Sequence, residues 1–213
     1  MPVDELLAIT VAYLLGSVPV GYLLVRLRTG RDLRQSGSGS TGASNAARLL
    51  GRPGFAVVFV LDLLKGSAAV LLASSFADAR WAAAGAGIAA VAGHLWPIWL
   101  GFRGGKGLAT GFGACLVVSP LVAALALVTL GVLLPVLRPS LVALVVALML
   151  APVSALVLDR EAAIGVLIMA LLVLTGHRTN IRALLPGGAD HARVAVGWAN
   201  RPSVRPTAGR SKR

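Results

Sequence analysis

A mostly apolar stretch, LLAITVAYLLGSVPVGYLLV at positions 6–25, stands near the start of the chain. A helix of about 20 residues spans the hydrocarbon core of a bilayer, so the stretch predicts a transmembrane helix. Its second half contains Gly16, Ser17, Pro19 and Gly21. Proline removes a backbone donor and small residues allow close helix contacts, so we expect this half to be bent or tightly packed.

The composition of the whole chain indicates an integral membrane protein. Of 213 residues, 57% are hydrophobic and only 13% are charged, and the mean hydropathy is +0.84. A soluble domain carries more charge on its surface. The net charge of +12 does not indicate nucleic acid, because the basic residues lie beside apolar segments without interleaved aromatics. We expect contacts with membrane lipids and no nucleic-acid partner.

Six further apolar segments follow the first, which predicts an all-α, polytopic membrane protein with about seven transmembrane helices. They cover residues 55–76, 81–102, 108–118, 120–136, 140–157 and 162–175. Segments 108–118 and 162–175 are shorter than the ~20 residues of a full span, so they are tilted, interfacial or extended by neighbouring polar turns. We predict a membrane domain at 1–192 and a basic, disordered tail at 193–213.

The charges between the segments predict their orientation. Acidic residues precede the first segment, and a run of arginines follows it: Arg26, Arg28, Arg31, Arg34, Arg48 and Arg52. Because basic loops stay in the cytoplasm, the N-terminus is predicted outside and, after seven crossings, the C-terminus inside. Three polar clusters then share the cytoplasmic side: the first cluster (34–48), the second cluster (104–110) and the third cluster (177–182).

The first cluster reads RQSGSGSTGASNAAR between Arg34 and Arg48. Successive glycines let backbone N–H groups converge on an anion, and hydroxyls and arginines add donors that phosphate accepts. A flexible polar loop is the alternative reading of the glycines and serines alone. The two other clusters on the same side favour phosphate binding.

The second cluster follows Arg103 and places Lys106 on a glycine turn ahead of an apolar helix. The start of that helix adds unpaired N–H donors, so the turn predicts an anion site. It is not a nucleotide P-loop, because Gly107 stands where Ser or Thr would hold magnesium. Anchoring at the positive inner face of the membrane is the alternative.

The third cluster follows the last apolar segment. His177 and Asn180 are three residues apart and share a face if the helix continues. They offer one group that titrates near physiological pH and one neutral amide donor. His177 could therefore serve as a base or as a phosphate donor.

Ionisable residues also lie inside the predicted spans. Asp62 and Lys65 stand three apart on one helical face, which predicts an ion pair with either a packing or a functional role. We expect His94 to be a hydrogen-bonded packing residue, because no second histidine or carboxylate stands at metal spacing. The lone Cys115 forms no disulfide within the chain. We expect neither a metal nor a cofactor.

These ordered motifs resemble the PlsY family, the bacterial membrane glycerol-3-phosphate acyltransferases that use acyl phosphate. The resemblance covers about residues 12–190. It is carried by Gly16-Ser17-x-Pro19, Asp32-Leu33-Arg34, Gly37-Ser38-Gly39 with Gly42-Ala43-Ser44-Asn45-x-x-Arg48, Asp62-x-x-Lys65-Gly66, Gly93-His94 with Pro97, Gly104-Gly105-Lys106-Gly107-x-Ala109-Thr110, and His177-Arg178-x-Asn180-Ile181.

The resemblance implies seven helices in the inner membrane and an active site that faces the cytoplasm. It also implies transfer of an acyl group from acyl phosphate to the 1-hydroxyl of glycerol 3-phosphate, which gives lysophosphatidic acid and phosphate. The implied catalytic residues are Ser38, Arg48, Lys106, His177 and Asn180. Substrate-binding positions are implied at Gly37, Gly39, Thr41, Gly42, Ser44, Asn45, Gly104, Gly105, Gly107 and Ser140.

Several departures from the family motifs leave a catalytically weak paralogue open as an alternative. Ser40 stands where the family has asparagine, Ala189 where it has glutamate, and Ala183 where it has arginine. A small membrane transporter of an organic phosphate is the other alternative. It needs an access path from both faces, and the purely apolar outer half of the chain argues against one.

Overall fold

The computed structural model is all-helical over the residues that it describes, which are 3–76, 80–133, 153 and 160–182. Its helices are α1 (Val3–Ser17), α2 (Val20–Thr29), α3 (Ala43–Phe76), α4 (Arg80–Leu95), α5 (Leu108–Val118), α6 (Pro120–Leu133), α7 (Arg160–Gly176) and α8 (Arg178–Arg182). The predicted segment 140–157, apart from residue 153, and the tail 193–213 lie outside the described residues.

Among the residues that the structure describes, three helical stretches are long and apolar enough to cross a membrane: Val3–Thr29, Ala43–Ser75 and Trp81–Leu100. Two shorter apolar helices, Leu108–Val118 and Pro120–Leu130, follow them. Large apolar side chains such as Leu27 and Trp99 are exposed, as expected of helices that face lipid. The predicted all-α fold is confirmed, while the count of seven crossings and their orientation stay predictions.

The first predicted span is bent at Pro19, as the sequence indicated. α1 ends at Ser17 and α2 begins at Val20, with Pro19 at φ −88° and ψ 71° between them. Lys65 of α3 donates a hydrogen bond of 2.8 Å to the carbonyl of Val18 at this break. The bend is thereby tied to the second span.

The second span begins earlier than predicted. The sequence placed residues 34–48 in a loop and started a helix at 55, whereas α3 begins at Ala43. The carbonyl of Gly42 accepts hydrogen bonds from the N–H groups of Asn45 and Ala46, which starts the helix, and alanine favours its first turns. Gly51, at φ 68°, then allows a kink in α3. The sequence interpretation had treated the residues before position 55 as a loop.

The third span ends earlier as a helix than predicted. We expected a helix over 81–102, but α4 ends at Leu95 and the span closes with a 3-10 turn at Ile98–Leu100. Pro97 has no N–H to continue the helix. The chain therefore turns back at this point and carries the second cluster against the end of α4.

Small residues bring the helices into close contact. A Cβ atom added to Gly16 would meet the backbone of Ala90, and one added to Gly66 would meet the carbonyl oxygen of Thr110. Such backbone contacts join α1 to α4 and α3 to α5, as is common between helices in membranes. Around Val91, an apolar core packs α4 against α5 and α7. These contacts fix the helix ends that carry the polar clusters.

Candidate active site

The three polar clusters meet at one cavity of about 560 Å³. Residues from each of them line it, together with flanking residues: Asp32, Arg34, Gln35, Ser38, Gly39, Ser40, Leu95, Trp96, Phe102, Arg103, Gly104, Gly105, Lys106, Gly176, Arg178 and Thr179. The prediction that the clusters share one side of the fold agrees with this arrangement. Ser140 lies outside the described residues, so its place in the site stays a prediction.

The loop of the first cluster is held together by the buried side chain of Asn45. Its Nδ2 atom donates to the carbonyl oxygens of Leu33 at 3.1 Å, Ser36 at 2.9 Å and Ser40 at 2.8 Å. Its Oδ1 atom accepts from the N–H of Ser38 at 3.2 Å. All polar atoms of the Asn45 amide are thus used inside the loop, so the residue shapes the site instead of presenting its amide to a substrate.

Two glycines of the same loop have backbone conformations that favour glycine. Gly37 has φ 53° and Gly39 has φ 69°, in the left-handed region. A Cβ atom on Gly37 would lie 2.6 Å from Cδ and 2.9 Å from Nε of Arg48. The exposed Arg48 side chain therefore reaches from the first turns of α3 across the loop that carries Ser38.

Three other predicted residues, Thr41, Gly42 and Ser44, lie at the end of this loop and the start of α3. The N–H of the buried Thr41 donates to the carbonyl of Gly104 at 3.4 Å, which joins the first cluster to the second. The N–H of Gly42 donates to the Ser40 hydroxyl at 3.4 Å. Ser44 is exposed on the first turn of α3.

The second cluster folds back onto the end of α4. The N–H of Gly104 donates to the carbonyl of Leu95 at 3.1 Å, and that of Gly105 donates to the carbonyl of His94 at 3.0 Å. Cβ atoms at these two glycines would meet the His94 carbonyl oxygen and imidazole Nε2, respectively. Glycine is therefore required at both positions, because the backbone of the turn lies directly against His94. Both N–H groups already donate to carbonyls of α4. Gly107, at φ 81°, precedes the first residue of α5.

Lys106 is the half-buried cation of this turn. Its partial burial lowers the pKa of the amine, and the positive charge of Arg48 lowers it further. Among the described residues, neither cation forms an ion pair with a carboxylate. Two neighbouring cations without a carboxylate partner make a site that favours a multiply charged anion.

The third cluster packs against the second. A Cβ atom on Gly176 would lie 2.7 Å from the carbonyl oxygen of Lys106. The helix does not continue straight through this cluster, because a turn at His177 separates α7 from α8. The N–H of Ile181 still donates to the His177 carbonyl at 2.9 Å, and Asn180 lies half-buried on α8.

The protonation state of His177 follows from its contacts. Its Nδ1 atom lies 2.9 Å from the carbonyl oxygen of Val173, and a carbonyl can only accept, so Nδ1 carries a proton. Burial lowers the pKa of the imidazole and the charge of Lys106 adds to this, although the bond to Val173 opposes it. The ring is thus neutral at neutral pH, and its Nε2 atom is a hydrogen-bond acceptor.

Arg34 lines the cavity, although it was not among the catalytic or substrate-binding residues that the resemblance implied. Asp32 holds its guanidinium through two hydrogen bonds of 3.1 and 2.7 Å, and the guanidinium also lies over the ring of Tyr22. The hydrogen bond from Arg34 lowers the pKa of the Asp32 carboxyl. Arg103 and Arg178 also line the cavity. Arg34, Arg103 and Arg178 all stand in or next to the three polar clusters, and this position was the sequence signal that could have identified them.

The predicted ion pair inside the membrane is present. Lys65 Nζ lies 2.9 Å from Asp62 Oδ1. His94 is hydrogen-bonded, as expected from the sequence, with Nδ1 at 3.1 Å from the Thr110 hydroxyl. In the part of the chain that the structure describes, no group of three or more His, Cys, Asp or Glu side chains is placed to hold a metal ion.

Comparison with known proteins identifies the family. The profile of the glycerol-3-phosphate acyltransferase family matches residues 6–187. A glycerol-3-phosphate acyltransferase of Synechococcus sp. (strain CC9902) is 47% identical over 192 residues, which cover 88% of this chain and 94% of that protein. Glycerol-3-phosphate acyltransferase 1 of Desulfitobacterium hafniense (strain Y51) is 39% identical, with 89% of this chain and 95% of that protein covered.

Solved structures give the same result. The fold is similar to the crystal structure of PlsY, an integral membrane glycerol 3-phosphate acyltransferase, in its glycerol 3-phosphate form, with a TM-score of 0.79 and 37% identity. That match covers 86% of this chain and 93% of PlsY. The lysophosphatidic acid form of PlsY matches with a TM-score of 0.76 at 34% identity and the same coverage. The chain therefore belongs to the family of integral membrane glycerol-3-phosphate acyltransferases, as its ordered motifs indicated.

Proposed function

We propose that the protein transfers an acyl group from acyl phosphate to the 1-hydroxyl of glycerol 3-phosphate and releases lysophosphatidic acid and phosphate. The observation that carries this proposal is the cavity where Lys106 and Ser38 meet, next to Arg48, with neither cation neutralised by a carboxylate of the described chain. Crystal structures of PlsY in a glycerol 3-phosphate form and a lysophosphatidic acid form support the acceptor and the product.

The reaction suits a site that binds and positions phosphates. Acyl phosphate is an activated mixed anhydride, so positioning and charge neutralisation supply most of the rate. The 1-hydroxyl oxygen of glycerol 3-phosphate attacks the acyl carbonyl carbon and forms the ester bond. The bond between that carbon and the phosphate oxygen breaks, and the departing phosphate keeps its electron pair and takes the hydroxyl proton.

The site residues divide this work. Lys106 and Arg48 neutralise the phosphates, and the exposed Ser38 adds a hydroxyl donor. His177 does not line the cavity itself but adjoins Arg178, which does; its Nε2 atom, which has no hydrogen-bond partner among the described residues, accepts from the 1-hydroxyl and orients it. Asn180 supplies an amide that orients the acyl carbonyl. Of the predicted binding residues, Asn45 acts through the loop that it holds.

We also propose that the protein spans the cytoplasmic (inner) membrane several times, with the cavity open to the cytoplasm. The arginine-rich segment between the first two spans supports this orientation, because positively charged loops are retained on the cytoplasmic side. Both substrates carry phosphate, and acyl phosphate also carries a lipid tail. A cavity at the cytoplasmic end of the helices lets a lipid-borne donor and a water-soluble acceptor meet.

Purified protein in detergent tests the activity. Given acyl phosphates of several chain lengths and radiolabelled glycerol 3-phosphate, it should form lysophosphatidic acid. We expect Lys106→Ala and Arg48→Ala each to lower kcat/KM about 100-fold or more, as loss of a charge-stabilising donor does. Arg52→Ala is the matched control, since Arg52 is an exposed arginine beyond the Gly51 kink of α3, whereas the Arg48 side chain reaches across the loop that carries Ser38. Absence of product at every chain length would rule out the proposal.

A further inference from the structure

A buried polar group lies directly beneath the turn that carries Lys106. This buried group consists of Asp62, Lys65, His94 and Thr110, from α3, α4 and α5. Asp62 is 2% exposed, His94 6% and Thr110 0%. Polar side chains are expensive to bury, and inside membranes they are commonly functional. The proposed reaction assigns no role to any of the four.

Short contacts connect the buried group to three helices and a bend. Lys65 Nζ lies 2.9 Å from Asp62 Oδ1 and 2.8 Å from the carbonyl oxygen at the break between α1 and α2. His94 Nδ1 lies 3.1 Å from the Thr110 hydroxyl and 3.5 Å from Asp62 Oδ1. The imidazole of His94 is thus held from below by α3 and α5.

The same imidazole supports the turn above it. The His94 carbonyl accepts from the N–H of Gly105 at 3.0 Å. A Cβ atom on Gly105 would meet Nε2 of the ring, so the backbone of the turn lies against the imidazole. Lys106 is the next residue. On the other side of the turn, the Gly104 carbonyl accepts a hydrogen bond from the N–H of Thr41. A displacement of the turn would therefore also displace the first cluster.

We propose that Thr110 and His94, backed by Asp62, are positioning residues that set where the Lys106 amine lies in the cavity. They touch no reacting atom and act through the backbone of Gly105. The proposal rests on the proposed function in that it assigns Lys106 to phosphate binding. Without the Thr110 hydroxyl, Nδ1 keeps only its longer contact with Asp62, and the ring is free to rotate away from the turn.

Thr110→Val tests the proposal, because valine keeps the shape of threonine and removes the hydroxyl. We expect kcat/KM for glycerol 3-phosphate to fall about tenfold or more, since displacements of about 1 Å at a reaction site can cost about 100-fold. Thr110→Ser restores the hydroxyl and should return kcat/KM to near the wild-type value. Should Thr110→Val fail to fold, Thr110→Ala is measured in the same way.

Ser67→Ala is the matched control. The Ser67 hydroxyl donates to the carbonyl of Gly113 at 2.8 Å, across the same interface between α3 and α5. This variant also loses one hydroxyl hydrogen bond, but it does not touch the turn. We expect a drop in Tm comparable to that of Thr110→Val and kinetic constants like those of the wild type.

A second readout does not depend on activity: the rate at which an amine reagent modifies Lys106, followed by mass spectrometry. Thr110→Val should change this rate relative to the wild type, whereas Thr110→Ser and Ser67→Ala should not. If Thr110→Val lowers Tm but leaves kcat/KM and Lys106 labelling unchanged, the residue is structural only and the proposal is overturned. If the wild type forms no lysophosphatidic acid, the proposed function fails and the labelling result alone decides the positioning role.

Discussion

Replacing Asn45 with alanine should open the loop that carries Ser38. The Asn45 amide is the common partner of three carbonyl groups and one N–H of that loop. Alanine favours the helix in which residue 45 stands, so α3 itself should persist. The change therefore removes loop contacts while leaving the helix that carries Arg48 in place.

The structure gives the size of the effect. An amide nitrogen has two protons, so the three carbonyl contacts of Nδ2 share two full hydrogen bonds, and Oδ1 accepts a third. At about 1 kcal/mol of net stabilisation each, the loss is about 3 kcal/mol. This value shifts the balance between closed and open loop about 100-fold towards the open form. We expect kcat/KM to fall about tenfold or more.

Two assays check this prediction. Radiolabelled product formation gives kcat/KM, and limited trypsin digestion reports loop opening through cleavage after Arg34. Asn45→Asp should be at least as damaging, because it keeps the acceptor for Ser38 N–H but sets a carboxylate oxygen against three carbonyls. Thr129→Ala is the control, since it removes one hydroxyl-to-carbonyl hydrogen bond of 2.8 Å within α6. Wild-type kinetics together with wild-type trypsin resistance in Asn45→Ala would refute the reasoning.

Three further predictions concern the walls of the cavity. Gly105→Ala places a Cβ atom against the His94 imidazole, so both Tm and kcat/KM should fall; thermal unfolding and product assays measure this. Because burial lowers the pKa of Lys106 below the ordinary 10.5, KM for glycerol 3-phosphate should rise with pH before 10.5 is reached, whereas an active Lys106→Arg variant should lack this rise. The Lys106 amine binds a proton more readily in the unfolded chain than in the folded one. Its contribution to the free energy of unfolding therefore rises as pH increases towards 10.5. Ser40→Asn should retain activity, since an amide oxygen can accept the Gly42 N–H as the serine hydroxyl does; a several-fold gain in rate would instead identify Ser40 as the cause of weak catalysis.

The predictability of the helices depended on how each one begins and ends. The segment 108–118 matches α5 because Gly107 precedes it and Ser119 with Pro120 follows it, and glycine and proline are strong helix boundaries. The start of α3 was missed for the same reason. Residues such as Gly51 and Pro53 commonly end helices, but here the chain kinks at Gly51 and continues as helix through Pro53. Sequence signals of this type show where a helix is weak, and packing decides whether it ends.

The composition of the site was more predictable than the function of each group in it. The clustering of glycine, hydroxyl and basic residues placed Ser38 and Lys106 at one cavity. However, the family resemblance implied that Gly104 and Gly105 bind substrate. The N–H groups of Gly104 and Gly105 are instead bonded to carbonyls at the end of α4, and glycine is needed there because the backbone lies against His94.

This difference changes how the anion site is built. In the proposed site, the glycines of the second cluster do not donate to phosphate, so charge neutralisation depends on the Lys106 and Arg48 side chains and on Ser38. We propose that their positions in turn depend on the Asn45 amide on one side and on the His94 imidazole on the other. An amide or an imidazole can bind a substrate or a backbone equally well, and only the three-dimensional positions of its neighbours decide between the two. For this reason the residues that hold the site could be identified from the sequence as polar and clustered, but not as its supports.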